Sequence, residues 1–114
     1  MPGETLDNLV ARYDLTPGFI KIDTEGAELR VLTGALDTLQ RLRPLIMSEL
    51  SDRLLSGFGD SAAAVIELLD QQGYEITDVR TGVRPLLPFD GEILAIPKEN
   101  VTESALGHQR SNEG

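Results

Sequence analysis

The sequence contains no cysteine, so it can form no disulfide and offers no thiolate as a nucleophile or metal ligand. It also lacks an apolar run of about 18 residues, the length that suggests a membrane-spanning helix. No basic start followed by an apolar segment is present, and we therefore expect no signal peptide. These absences predict a cytoplasmic protein without a membrane partner.

Cationic residues are few as well. The 114 residues include 10 Lys and Arg but 19 Asp and Glu, which gives a formal net charge of -9. Binding to a nucleic acid backbone requires a basic patch, and the few cations are scattered, so we expect no nucleic acid partner. With 40% hydrophobic residues, a chain of this length can bury roughly two-thirds of its unfolded surface, which predicts one globular domain.

A glycine-rich cofactor turn is also missing. A doubly wound nucleotide-binding sheet opens with a strand, a G-x-G-x-x-G turn and a helix, since only glycine lets the backbone approach the cofactor. No such run occurs, because Gly57-Phe58-Gly59 comes late and follows a weak polar stretch. The single histidine, His108, lies in a polar stretch near the carboxyl terminus, where we expect it to be solvated and not catalytic.

The strongest pattern that is present runs from Phe19 to Glu28. Pro17-Gly18 precedes the short apolar stretch Phe19 to Ile22, which is typical of a strand buried on both faces. Three carboxylates and a glycine complete the pattern: Asp23, Glu25, Gly26 and Glu28. This arrangement predicts a strand that ends in an acidic turn.

The remaining elements follow from periodicity and turn residues. They are a helix capped by Thr5, a helix from Ala27 to Leu42 that Gly34 splits in two, a strand from Leu45 to Met47 with a polar end, a helix that Asp60 or Ser61 caps and that runs to Gln72, and strands from Tyr74 to Val79 and from Glu92 to Ile96. This order predicts an α/β sheet whose last two strands are antiparallel. We predict one domain over residues 1–97 and a disordered tail over residues 98–114.

The acidic turn is a candidate site because ligands bind at the carboxyl ends of parallel strands, which lie about 5 Å apart. Asp23 and Glu25 would meet Glu49 of the next strand at one edge of the sheet. Capping of the following helix explains Asp23 and Glu25 equally well, and Glu28 is typical of an exposed first-turn residue. Asp7 is typical of a helix start. Two carboxylates could bind Mg²⁺, but the spacing does not match an EF-hand loop, and we predict no metal.

Five motifs resemble the carboxyl-terminal half of the FkbM family of S-adenosylmethionine-dependent methyltransferases: Thr5-Leu6-Asp7, the stretch Phe19–Glu28, Val31-Leu32-Thr33-Gly34-Ala35, Arg43-Pro44 and Glu49. The resemblance spans residues 5–97. It implies an α/β fold, a partial class I methyltransferase (Rossmann-like) sheet of about four strands with flanking helices, in which the first three strands of the family fold are absent.

The resemblance also implies a function, which is methyl transfer from S-adenosylmethionine to a hydroxyl of a sugar or another small or secondary metabolite. Asp23, Glu25 and Glu49 would be catalytic, Asp23 would also lie nearest the cofactor, and Glu28 would contact the substrate. Two interpretations stay open. The chain is either the carboxyl-terminal part of a catalytic domain, or a non-catalytic acidic α/β interaction module or gene fragment without the cofactor-binding half.

The implied sheet order makes the strand Phe19–Ile22 an edge strand here, because its neighbour in the family fold is absent. Unpaired N–H and C=O groups on an edge strand are open to pairing with another chain. We therefore expect the isolated chain to self-associate, to dock on a separate amino-terminal half, or to be loosely folded. We also expect that the isolated chain does not bind S-adenosylmethionine.

Overall fold

The computed structural model describes residues 5–101. Within this range helices and strands follow in the order α1 (Leu6–Tyr13), β1 (Phe19–Ile22), α2 (Glu28–Thr33), α3 (Leu36–Leu42), β2 (Leu45–Ser51), α4 (Asp52–Ser56), α5 (Ala62–Gln71), β3 (Tyr74–Asp78) and β4 (Asp90–Pro97). The predicted split of the central helix at Gly34 is confirmed. Over these residues no helix has the length and apolar character that crossing a membrane requires.

The four strands form one sheet in the order β1-β2-β4-β3. β1 and β2 are parallel, with Ile22 opposite Ser48. β4 lies between β2 and β3 and is antiparallel to both. The mixed α/β fold, the parallel first pair and the antiparallel last pair are therefore confirmed, and β1 lies at an edge of the sheet.

The hydrophobic core lies on one face of the sheet. Its strand residues alternate along each strand and pack against helix residues such as Leu32, Leu39, Leu55, Val65 and Leu69, which are all fully buried. Burial of each large apolar side chain contributes about 1.5–3 kcal/mol. The opposite face contributes nothing to this core and carries partly exposed side chains: Leu45, Met47, Leu94 and Ile96.

β1 corrects one prediction, that of a strand buried on both faces. Phe19 is 52% exposed and Lys21 is exposed, while only Ile22 is fully buried. A strand is buried on both faces when layers cover both sides of the sheet, and the core here lies on one side. The prediction was wrong because an apolar run of four residues does not reveal how many layers cover it.

α4 was not predicted from the sequence. Its five residues are too few to show helical periodicity, although Ser51 caps the helix by accepting a hydrogen bond from the Leu54 amide at 3.4 Å. Leu55 is fully buried in the core. The turn that follows α4 carries Phe58, which becomes relevant to the candidate site.

α1 is fastened to α3 through Asp7. Thr5 caps α1 as predicted, since its side chain accepts a hydrogen bond from the Asn8 amide at 3.1 Å. The Asp7 carboxylate accepts bonds from the Thr38 amide at 2.8 Å, the Thr38 hydroxyl at 2.7 Å and the Asp37 amide at 3.1 Å. Asp7 thus satisfies donors in the first turn of α3, a longer-range role than that of a helix start.

Arg43, which follows α3, binds the residues after α5 and the residues after β4. As expected before Pro44, the residue leaves the helical region, but it does so in the left-handed conformation, with φ 51°. Its guanidinium donates to the carbonyls of Gln72 at 2.6 Å and Gly73 at 3.0 Å, which follow α5. It also forms an ion pair with Glu99 at 2.8 Å. Residues 98–101 are helical, and the rest of the predicted tail lies outside the described residues.

Candidate active site

The carboxyl edge of the sheet gathers the ends of all four strands. β1 and β2 are parallel, and β3 is antiparallel to β4, so the ends of β1, β2 and β3 lie at the same edge as the start of β4. Asp23, Asp78 and Asp90 mark three of these strand ends. This edge is where ligands bind in open sheets with parallel strands.

The acidic turn after β1 is built around Glu28. This residue begins α2 and is only 1% exposed. One carboxylate oxygen accepts a hydrogen bond from the Thr24 amide and the other from the Gly26 amide, both at 3.0 Å. A buried carboxylate that accepts two backbone hydrogen bonds fixes the path of the chain between them, so Glu28 holds the turn in shape.

Gly26 is required by the same turn. Its φ of 119° is rarely adopted by other residues. A Cβ atom at this position would lie 2.5 Å from the Leu54 carbonyl oxygen and 3.0 Å from a ring carbon of Phe58. The turn therefore packs directly on α4 and the residues after it, and Arg30 of α2 covers the Phe58 ring at 5.3 Å.

Glu25 takes a left-handed backbone conformation, with φ 55°. This conformation is uncommon for a residue with a side chain, and such strained residues cluster at functional sites. Asp23 and Glu25 are both exposed. In the part of the chain that the structure describes, neither carboxylate has a hydrogen-bond or ion-pair partner. The turn therefore presents two free carboxylates at the carboxyl edge.

Glu49 lies next to Asp23 in the sheet. Because Ile22 is opposite Ser48, the following residues Asp23 and Glu49 share the next position of the parallel register. Glu49 is exposed, lies two residues before the end of β2 and faces Glu92 of β4 across the antiparallel pair. Like charges at directly opposed positions repel, so a cation near this edge would be stabilised.

The structure weighs against the alternative explanations of these carboxylates. α2 begins after Ala27 without a side-chain cap, so neither Asp23 nor Glu25 caps it. The interpretation of Glu28 as an exposed first-turn residue is wrong, because its carboxylate is drawn inside by the Thr24 and Gly26 amides. The catalytic roles of Asp23, Glu25 and Glu49 and the substrate contact of Glu28 stay predictions.

The described residues offer no cluster of metal ligands at this edge. Among residues 5–101 there is no group of three or more His, Cys, Asp or Glu side chains arranged to hold a metal ion. His108 lies outside the described residues. The arrangement at the carboxyl edge is suited to accepting a proton and to stabilising positive charge.

Two features of this edge escaped sequence reasoning. Asp52 accepts hydrogen bonds from the Ala62 amide at 2.8 Å and the Phe89 amide at 2.7 Å, and so joins α5 to the start of β4. The other feature is the loop between β3 and β4, residues 79–89, with its exposed apolar side chains. The Ser61 cap was a sequence signal for the start of α5, which Asp52 also supports, whereas no spacing in the sequence links Asp52 to Phe89.

Comparison with known proteins identifies the family. The comparisons with curated proteins and with solved structures gave no match. The sequence profile of the family described as "Methyltransferase FkbM domain" matches residues 1–76, two-thirds of the chain. The matched region contains β1, the acidic turn and β2, with the two free carboxylates of the turn at the carboxyl edge. The chain belongs to the FkbM methyltransferase domain family.

Proposed function

We propose that the described residues form the carboxyl-terminal part of the catalytic domain of an S-adenosylmethionine-dependent O-methyltransferase. The acceptor would be a hydroxyl of a sugar or another small metabolite. The observation that carries this proposal is the acidic turn, in which Asp23 and Glu25 are free, exposed and held at the carboxyl edge of a parallel strand pair. Membership of the FkbM family supports it.

The carboxylates of this edge fit the cofactor. When bound, S-adenosylmethionine supplies an electrophilic methyl group on a positively charged sulfur. Asp23, at the end of β1, and Glu49, beside it in the register, would hold that positive charge by their negative charge. The net charge of -9 attracts a cation in the same way over longer distances.

Glu25 is the proposed general base. As the acceptor oxygen forms its bond to the methyl carbon, the hydroxyl proton has to leave, and a carboxylate within hydrogen-bond reach can take it. Glu25 is exposed and unpaired, so its oxygens are available. Glu28 would act through Glu25, because its two bonds to the turn set the direction of the Glu25 side chain.

Methyl transfer by a chimeric enzyme tests the proposal. We would join this chain to the amino-terminal half of another FkbM methyltransferase that contains a glycine-rich turn, and measure transfer of labelled methyl groups to hydroxyl compounds. Loss of a general base lowers kcat by about 10²-fold or more, so we expect this loss for Glu25→Gln. Glu67→Gln, an exposed acid on α5, is the matched control and should keep full activity. Equal activity of both variants would refute the role of Glu25.

A second function is favoured by the edge position of β1 and by the lack of a G-x-G-x-x-G run in the sequence. In this case the chain is a non-catalytic acidic module that binds a partner through its open edge. Calorimetry with S-adenosylmethionine separates the alternatives for the isolated chain. We expect no saturable binding by the chain alone, and binding once the amino-terminal half is joined. A chimera that still fails to bind would favour the non-catalytic module.

A further inference from the structure

The loop between β3 and β4 lies at the same sheet edge as the acidic turn and borders an open cavity of about 390 Å³. Val83, Leu86, Pro88 and Phe89 contribute apolar walls. A second cavity, of about 240 Å³, lies between this loop and the end of β2, where Asp52 lines it. Pro88, Phe89 and Asp90 line both cavities. The first cavity alone is in the range of small-molecule sites, about 300–1,000 Å³.

The loop is anchored on both sides of its apolar segment. The Arg84 guanidinium makes two hydrogen bonds to the Asp70 carboxylate of α5, at 3.2 and 2.5 Å. At the start of the loop, the Asp78 amide donates to the Val83 carbonyl at 2.7 Å. At its end, the Phe89 amide donates to Asp52 at 2.7 Å. These contacts hold the loop against the sheet.

The anchored loop nevertheless presents apolar side chains to water. Leu86 is 84% exposed, Val83 62% and Leu87 54%. Clustered exposed apolar residues that border a cavity mark binding sites more often than scattered ones do. Arg84 lies beside these apolar side chains, but its charge is neutralised by Asp70. The surface formed by Val83, Leu86 and Leu87 is therefore apolar.

The charges around the cavity favour a neutral ligand. Besides the paired Arg84, the lining includes Arg80, whose guanidinium lies 3.6 Å from the Asp78 carboxylate. Asp90 adds a negative charge, and the whole chain has a net charge of -9. The lining thus carries two arginines and two aspartates, and both arginines are already paired with carboxylates, so neither sign of charge is in excess at the cavity.

The strand order relates the cavity to the acidic turn. β4 and β1 are separated by β2, and the register places Ile22 level with Ser48 and Ile93, three residues along β4 from Asp90. Two strand spacings across the sheet and three residues along the strands put the start of β4 on the order of 14 Å from the end of β1. A ligand whose apolar part lies against the loop can reach Glu25 only if one of its hydroxyls is about the same distance from that apolar part. A free monosaccharide is too short to do this, whereas an apolar compound carrying a sugar is long enough.

We propose that the cavity under residues 79–89 is an acceptor subsite that takes the apolar part of a neutral amphiphile and leaves its hydroxyls toward the acidic turn. This inference rests on the proposed methyltransferase function, whose acceptor it defines. Leu86 and Val83 determine the preference for an apolar group, and Phe89 forms the wall between the two cavities.

Binding of n-octyl glucoside to the full 114-residue chain tests the subsite. The probe is added as a monomer below its critical micelle concentration, glucose serves as the probe without an apolar part, and ¹H–¹⁵N spectra are followed during titration. We expect saturable shifts concentrated on the amides of residues 80–91 with octyl glucoside and none with glucose. Leu86→Ser should weaken binding about fivefold or more, as expected for the loss of several buried methylene groups.

Leu15→Ser is the matched control, since Leu15 is 45% exposed but precedes β1 and does not line the cavity. Both variants should keep the wild-type spectrum, because both side chains are exposed. Equal binding by Leu86→Ser and wild type would overturn the proposal, as would shifts centred on Met47 and Leu94 of the open sheet face. The titration contains no cofactor, so it measures ligand binding alone. Failure of methyl transfer by the chimera would count against the proposed function without changing the titration result, and failure of octyl glucoside to bind would count against the subsite without changing the chimera result.

Discussion

At the scale of single residues, Glu28 is the buried charge that the acidic turn depends on. Glutamine at this position keeps one acceptor oxygen, but its NH₂ group cannot accept the second of the two amide hydrogen bonds. A buried donor left without a partner costs about 1–3 kcal/mol. We therefore predict that Glu28→Gln lowers the free energy of unfolding by about that amount in urea titrations.

Glu25→Gln is the control for this measurement. Glu25 lies in the same turn but is exposed and unpaired, so its substitution should change stability by no more than about 0.5 kcal/mol. Equal losses in the two variants would show that Glu28 contributes no more to the turn than a surface carboxylate does.

Substitution of Ser48, unlike that of Glu28, is not expected to lower stability. It is fully buried on β2, and its hydroxyl has no hydrogen-bond partner among the described residues. Burying such a group without a partner is unfavourable, so we predict that Ser48→Ala leaves stability unchanged or raises it. Thermal and urea unfolding would measure this. Ser61→Ala is the matched substitution at a helix cap and should cost about 1 kcal/mol; a similar loss at Ser48 would contradict the prediction.

At the scale of elements, the attachment of α1 to α3 is sensitive to acid. Partial burial alone would raise the pKa of Asp7, but the hydrogen bonds from the Thr38 hydroxyl and from the Thr38 and Asp37 amides outweigh it and lower that pKa. A carboxyl whose pKa is lower in the folded chain stabilises the fold above its unfolded value and loses this effect as the pH falls through the folded value.

We accordingly predict that stability falls as the pH drops below about 4, and that Asp7→Asn removes part of this dependence. Unfolding in urea at a series of pH values would measure it. Asp14→Asn is the control, because Asp14 follows α1 and its carboxylate makes no hydrogen bond or ion pair among the described residues. An unchanged acid dependence in Asp7→Asn would contradict the prediction.

The elements also show what a sequence can predict. Helix caps such as Thr5 and Ser61 and the break at Gly34 were predictable because they depend on local backbone chemistry. The layers that cover β1 were not, since burial of Phe19 depends on other parts of the chain. The role of Glu28 was hidden for a related reason, as its partners are backbone amides that leave no trace in the residue pattern.

At the scale of the whole molecule, β1 is an open edge. The Leu45 amide donates to the Gly18 carbonyl at 2.9 Å, and hydrogen bonding alternates along a parallel pair. The amides of Ile20 and Ile22 therefore point toward β2, and those of Phe19 and Lys21 point outward. Outward amides on an unpaired edge are open to another strand.

We predict that the isolated chain self-associates through this edge, with sedimentation showing a mass above the 12.4 kDa of one chain as concentration rises. Hydrogen exchange at the Lys21 amide should slow in parallel. Lys21→Pro removes an outward N–H that the sheet does not use, so it should abolish association and leave the fold intact. A chain that stays monomeric at high concentration with a rapidly exchanging Lys21 amide would refute the prediction.

The place of β4 in the sheet also governs when the chain can fold during its synthesis. Among the described residues β4 is made after the other three strands, yet it pairs with both β2 and β3. Until residues 90–97 have left the ribosome, β3 has no neighbour in the sheet and β2 has only β1. Pairings between segments distant in sequence form slowly because the loop between them must close first. We therefore expect this part of the nascent chain to stay largely open until β4 emerges, and a chaperone that binds unpaired strands would meet it in that interval.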